Sequence, residues 1–112
     1  MDQFNVILSK LEHFRDERDW SQFHDSKNLA LALSIEAAEL NELFLWKKDQ
    51  EVEDVDIQRL KDELADVFAY AILLAGKHKL DIPSIILEKI QKNAEKYPVS
   101  KAKGTAKKYK DL

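Results

Sequence analysis

Four acidic side chains stand beside the two most apolar stretches of the chain. Glu36 and Glu39 follow residues 29–35, and Glu63 and Asp66 precede residues 67–75, segments that are apolar nearly all the way round. Each pair is spaced by three, which on a helix puts both carboxylates on one face about one turn apart. In an antiparallel helix pair, opposed positions have a constant sum, and Glu36 with Asp66 and Glu39 with Glu63 share the sum 102. Half of that is 51, inside the polar, acidic stretch 48–54. One plain helical hairpin therefore gathers all four carboxylates at one level.

Four anions beside apolar walls do not persist unaided, because desolvation and mutual repulsion both favour protonation. A hard divalent cation with oxygen ligands is the natural partner, and Mg²⁺ takes a few carboxylates while keeping waters and substrate phosphates. Mn²⁺ is the alternative ion. A charged face paired to Lys or Arg is the plain structural reading, but Lys27, Arg59 and Lys61 are few and lie near the helix starts. A di-iron bundle wants Glu-x-x-His pairs, and positions 39, 42 and 66 supply no His.

The elements that position these acids read as helices. Phe4, Ile7, Leu8, Leu11 and Phe14 mark one face of a first helix that fades near 18–21, with Lys10, Glu12 and Arg15 elsewhere. Residues 20–26 read as an aromatic loop in which Trp20 and Phe23 are packing residues, with lining of the pocket as the alternative. Asp25 or Ser26 caps a second helix, which runs to about Trp46 or Lys47. A third carries Ile57 to Leu74 and ends around 76–80. Asp81-Ile82-Pro83 opens a fourth, since Pro fits a first helical turn, and it ends at Pro98. The reading is an all-α, four-helix domain over 1–97 with a basic C-terminal tail over 98–112, in which Tyr109 is a candidate anchor.

Composition narrows the function. The chain has 112 residues, 35% of them charged, with two Gly, two Pro and no Cys, which disfavours a many-stranded fold and excludes thiolate chemistry. The net charge of −3 divides into +4 from Pro98 onward and −7 over 1–97. An acidic body repels a phosphate backbone unless a cation intervenes, so no nucleic-acid polymer is expected as partner. The longest apolar run, nine residues, is far short of the roughly 20 that span a bilayer. With no signal peptide visible after Met1, the expected location is cytoplasmic, with no membrane partner.

The segments Glu36-Ala-Ala-Glu39 and Glu63-Leu-Ala-Asp66 resemble the E-x-x-E … E-x-x-D motif of the MazG-like all-α nucleoside triphosphate pyrophosphohydrolases, in particular their dCTP pyrophosphatase branch. The resemblance extends over residues 15–24 with Asn28-Leu29, the Leu43-Phe44-Leu45-Trp46 end, Asp81-Ile82-Pro83, and Lys89 with Asn93-Ala-Glu-Lys96-Tyr97-Pro98. One departure is Ile35, where the broader pattern often carries a second Glu. The resemblance implies a four-helix MazG-like bundle assembling as an oligomer. It also implies Mg²⁺-dependent hydrolysis of dCTP, a modified dCTP or another nucleoside triphosphate to the monophosphate and pyrophosphate, a nucleotide-pool house-cleaning reaction.

Carried over residue by residue, Glu36, Glu39, Glu63 and Asp66 are the metal-binding and catalytic set. His24, Trp46, Lys89, Asn93, Lys96 and Tyr97 are the substrate-binding set. Trp46 can stack on a base, Asn93 can pair with a base edge, and Lys89 and Lys96 are phosphate partners; His13 and His78 are read as structural. Two helices apolar all round exceed what one thin core can cover, since Ala30, Leu33, Ala37, Ala71 and Leu74 cannot all face it. A homo-oligomer is expected, a dimer or tetramer. The rival readings are a non-catalytic helical scaffold with a structural acidic cluster, and a dUTPase-type enzyme.

Overall fold

The computed structural model describes residues 2–112 and contains five α-helices in chain order. They are α1 (Gln3–Glu17), α2 (Ser26–Glu42), α3 (Ile57–Lys77), α4 (Ile82–Lys96) and the single-turn α5 (Val99–Ala102), with short 3₁₀ turns at Ser21–Phe23, Asp49–Val52 and Tyr109–Asp111. No strand occurs among the described residues. None of their helices is long and apolar enough to cross a membrane. The helices fall in two compact units, one up to Lys79 and the other from Leu80 onward.

Each long helix starts where the chain offers an oxygen to its free N–H groups. Asp2 accepts from Asn5 N, Asp25 from Asn28 N, Asp56 from Gln58 N and Arg59 N, and Asp81 from Ser84 N. Pro83 sits in the first turn of α4, where it forfeits no bond.

In the first unit α2 and α3 form the main pairing and α1 packs against α3. The buried core is small: Leu29, Leu43, Ile72, Leu73 and Ala75. Gly76 lets α1 come close, since a Cβ there would lie 2.7 Å from both methyls of Leu8. The apolar stretches are buried on one side only. Leu31, Ile35 and Phe68 remain 51–60% exposed in the single chain.

Two boundaries differ from the sequence expectation. The second helix ends at Glu42, not Trp46, because its last turn tightens: Leu43, Phe44 and Leu45 donate to carbonyls three residues back, at Leu40, Asn41 and Glu42. Trp46 then reverses the chain at φ +64°, a conformation most L residues avoid. The tail is not irregular throughout. Pro98, with extended φ and ψ, caps α5, and its carbonyl accepts from Lys101 and Ala102.

In the second unit Tyr109 anchors the tail, as its position suggests. Its ring meets Tyr97 edge-on at 6.2 Å, and Lys96 Nζ lies 4.8 Å above it.

Leu29, at 2% exposure, is the best-buried side chain of α2. Leu29→Ala should destabilise the chain by about 2–5 kcal/mol, read as a lower urea midpoint with an unchanged slope.

Candidate active site

The hairpin of α2 and α3 brings acids from the two helices together. One carboxylate oxygen from each of Glu36, Glu39 and Glu63 lies within 4.8 Å of the others. Asp66 stands outside this trio, yet its charge reaches Glu36, Glu63 and Tyr70. Of the two constant-sum pairs, the cluster holds both members of Glu39–Glu63 and only Glu36 of the other.

The cluster is electrostatically unsettled. Burial, then the hydrogen bond and charge of Glu39, then the charges of Asp66 and Glu63, push the Glu36 carboxyl up to about 7. Glu63 is raised as well, by desolvation first and by Glu39 and Asp66 next, with Arg59 pulling weakly the other way. One oxygen each of Glu36 and Glu63 is buried without a hydrogen-bond partner. Ion pairs among the described residues are His13–Glu17, Arg15–Asp16 and Arg18–Glu17, and none involves the cluster. Orphaned, desolvated carboxylate oxygens converging from two helices are a donor set that suits a hard divalent cation. The three acids could hold one.

Beside the cluster lies a cavity of ≈ 250 Å³. Arg15, His24, Asp66 and Tyr70 give it polar atoms, Phe14 and Trp20 an aromatic side, and Leu11, Ala69 and Leu73 complete an apolar lining. Asp66 thus belongs to the cavity and acts electrostatically on the acid cluster. Tyr70, one turn further along α3, has its hydroxyl pKa raised by desolvation and then by the charges of Glu36, Asp66 and Glu39.

Local backbone chemistry places Trp20. After α1 the chain turns through Asp19 at φ +55°. Trp20 N donates to Arg15 O at 3.0 Å, and Asp19 N to Asp16 O at 3.1 Å. This is the Schellman pattern, in which the residue after the left-handed one packs back onto the last helical turn. Trp20 does so edge-on against Phe14 at 5.9 Å.

His24 closes the next 3₁₀ turn, its ring edge-on to Tyr70 at 6.4 Å and its Nδ1 buried without a partner. Burial first, then the charges of Arg15 and Lys77, lower its pKa, so the ring is neutral at physiological pH.

The other expected residues are placed as follows. Trp46 lies outside the cavity lining and is 88% exposed. Lys89, Asn93, Lys96 and Tyr97 belong to the second unit, where Tyr97 caps α4 by donating to Asn93 O. His13 meets Glu17 on α1, and His78 bonds Ser26 Oγ at 2.8 Å, tying the end of α3 to the start of α2.

Of the two aromatics read from sequence as packing or pocket-lining residues, Trp20 does both and Phe23 is in neither role at the cavity. Trp20 lines the cavity and Phe23 is 60% exposed. Arg15 and Tyr70 were not singled out as site residues. Tyr70 carried a usable signal, since Glu63, Asp66 and Tyr70 follow one another at three and four residues along one helix face.

The family model described as the MazG-like family matches residues 31–112. The chain belongs to the MazG-like family. Among curated relatives, dCTP pyrophosphatase 1 of Rattus norvegicus is 42% identical and that of Homo sapiens 40% identical, each over 104 residues. These matches cover 88% of this chain and 61% of each relative, so the chain spans about three fifths of their length. A crystal structure of a pyrophosphatase from Archaeoglobus fulgidus superposes with TM-score 0.80 at 33% identity, covering 88% of this chain and 94% of that one. Three of the four acids that carry the resemblance, Glu36, Glu39 and Glu63, are the ones that the fold draws into its cluster.

The raised Glu36 pKa has a measurable sign. Between the unfolded value near 4.5 and about 7, the native state holds a proton that the unfolded state has released. This group's contribution to stability therefore falls as pH rises through that window and stays low above it. Without metal, the wild type should lose more melting temperature from pH 5 to pH 8 than Glu36→Gln does. Millimolar Mg²⁺ or Mn²⁺ at pH 8 should raise the wild-type melting temperature and leave that of Glu36→Gln nearly unmoved.

Proposed function

We propose that the chain hydrolyses a nucleoside triphosphate, dCTP or a modified dCTP, between the α and β phosphates, releasing the monophosphate and pyrophosphate. The observation that carries this reading is a cluster of three carboxylates, two of them with an orphaned oxygen, beside a cavity lined in part by aromatic rings. The names of the relatives point the same way: curated proteins called dCTP pyrophosphatase 1 and a solved pyrophosphatase.

Glu36, Glu39 and Glu63 would hold Mg²⁺, with Mn²⁺ as alternative and Asp66 as a further acid at the edge. The ion supplies positive charge that offsets the phosphate oxygens and lowers the pKa of water. The residues of the chain do the rest. The water oxygen bonds to the α-phosphorus as the bond from that phosphorus to the α–β bridging oxygen breaks, and the electron pair leaves with pyrophosphate. The water's proton passes to a carboxylate, Glu36 or Glu39.

Phe14, Trp20 and Tyr70 offer ring faces and edges to a flat base, and His24 presents its unpartnered Nδ1 to a polar group of the ligand. Trp46, Lys89, Asn93, Lys96 and Tyr97 remain substrate contacts by resemblance to the family. The exposed Leu31 and Ile35 on α2 and Phe68 on α3 support a homo-oligomer, dimer or tetramer, in which a second copy covers them. A cytoplasmic location completes the proposal.

A pyrophosphate-release screen over all canonical NTPs and dNTPs, coupled to an inorganic pyrophosphatase, tests the reaction. Glu63→Gln should lower kcat by about 100-fold or more while the fold is kept. Release of orthophosphate without the coupling enzyme would contradict cleavage at the α–β bond. Truncation after Val99, which removes the five lysines of the basic tail, should weaken triphosphate binding, and unchanged kinetics would remove the tail from the proposal.

A further inference from the structure

Arg15 is the cation of the cavity lining, and its guanidinium has hydrogen-bonding capacity to spare. It stands in the last turn of α1, where its carbonyl takes the Trp20 N–H and its side chain is only 22% exposed. Its Nε donates to Asp16 Oδ1 at 2.8 Å, which fixes the plane of the guanidinium. The N–H groups on Nη1 and Nη2 have no hydrogen-bond partner among the described residues. Arg15 belongs to the cavity lining together with His24, at which its positive charge is felt. A guanidinium clamped through Nε presents its two terminal nitrogens as a fork that matches two adjacent acceptors.

Resting on the proposed reading of the cavity as a nucleobase seat, the geometry points to Arg15 as a specificity-determining residue that pairs with two adjacent acceptors on a base edge, as cytosine offers at O2 and N3. Uracil and thymine place an N–H between their two carbonyls, so one arm of the fork would face a donor, and a buried mismatch of that kind discriminates strongly. Guanine, with N7 and O6, offers the same paired acceptors. Adenine does not. The side chain that keeps the fork in register is Asp16, outside the cavity lining.

Arg15→Gln and Arg15→Lys provide the test, the second keeping the charge while losing the fork. The readout is the ratio of kcat/KM for dCTP to that for dTTP, with dGTP against dATP as the second arm. Both variants should lower the dCTP:dTTP ratio by about tenfold or more. An equal fall for dGTP against dATP assigns the fork to guanine as well. Equilibrium binding of dCMP, measured by calorimetry without metal, should weaken in step.

A uniform fall on all four triphosphates with the ratios unchanged would overturn the inference, as would full rescue by Lys. A wild type that makes no pyrophosphate from any triphosphate would fail the proposed reaction, and dCMP binding would still judge Arg15: unchanged affinity in Arg15→Gln overturns its role.

Discussion

The structure turns on the repulsion among carboxylates that the α2–α3 hairpin forces together. Glu36, Glu39 and Glu63 come within 4.8 Å of one another, and two of their oxygens are cut off from both water and hydrogen-bond donors. An acidic face in a purely structural protein is relieved by cations from its own chain. Here the ion pairs of the described residues all lie along α1 and its end. Relief has to come from outside, as a proton on Glu36 or as a metal cation, and the two compete for the same oxygens.

That competition explains why the apolar surroundings matter to function. A carboxylate in water binds Mg²⁺ weakly because hydration already satisfies it. Desolvation by the apolar stretches before Glu36 and after Asp66 removes that alternative. It also carries the effect to Tyr70, whose hydroxyl is raised by burial and by the same three acids that perturb the cluster. The acid cluster and the cavity thus share one electrostatic neighbourhood, joined along α3 by Glu63, Asp66 and Tyr70.

How much of this could be read from sequence depended on the kind of rule at work. The meeting of Glu36, Glu39 and Glu63 was legible because helical spacing and the constant sum of an antiparallel pair are rigid geometry, which did not separate Asp66 from them. The start of α2 at Asp25 or Ser26 was legible from capping chemistry, and that of α4 from a proline that fits a first helical turn. Trp20 was not, because its position follows from a left-handed residue, Asp19, where Gly would have announced the turn. Arg15 looked like a solvated charge on the polar side of α1, and only the turn that folds Trp20 back encloses it. The early end of α2 escaped because Leu43, Phe44 and Leu45 continue its apolar character while their hydrogen bonds shift to three-residue spacing. In the second unit the anchoring of Tyr109 was foreseeable from its isolation in a lysine-rich tail, but the one-turn α5 was hidden by its brevity.

Gly76 bears on one wall of the cavity from a distance. Leu8 packs into the space where a side chain at 76 would sit, and Leu8 shares α1 with Leu11, Phe14 and Arg15, three of the residues lining the cavity. A methyl at 76 would first push aside the end of the Leu8 side chain, and only a larger group would press on α1 itself. The closeness of that wall to α3 at this level is kept by a hydrogen atom where any other residue would carry a carbon.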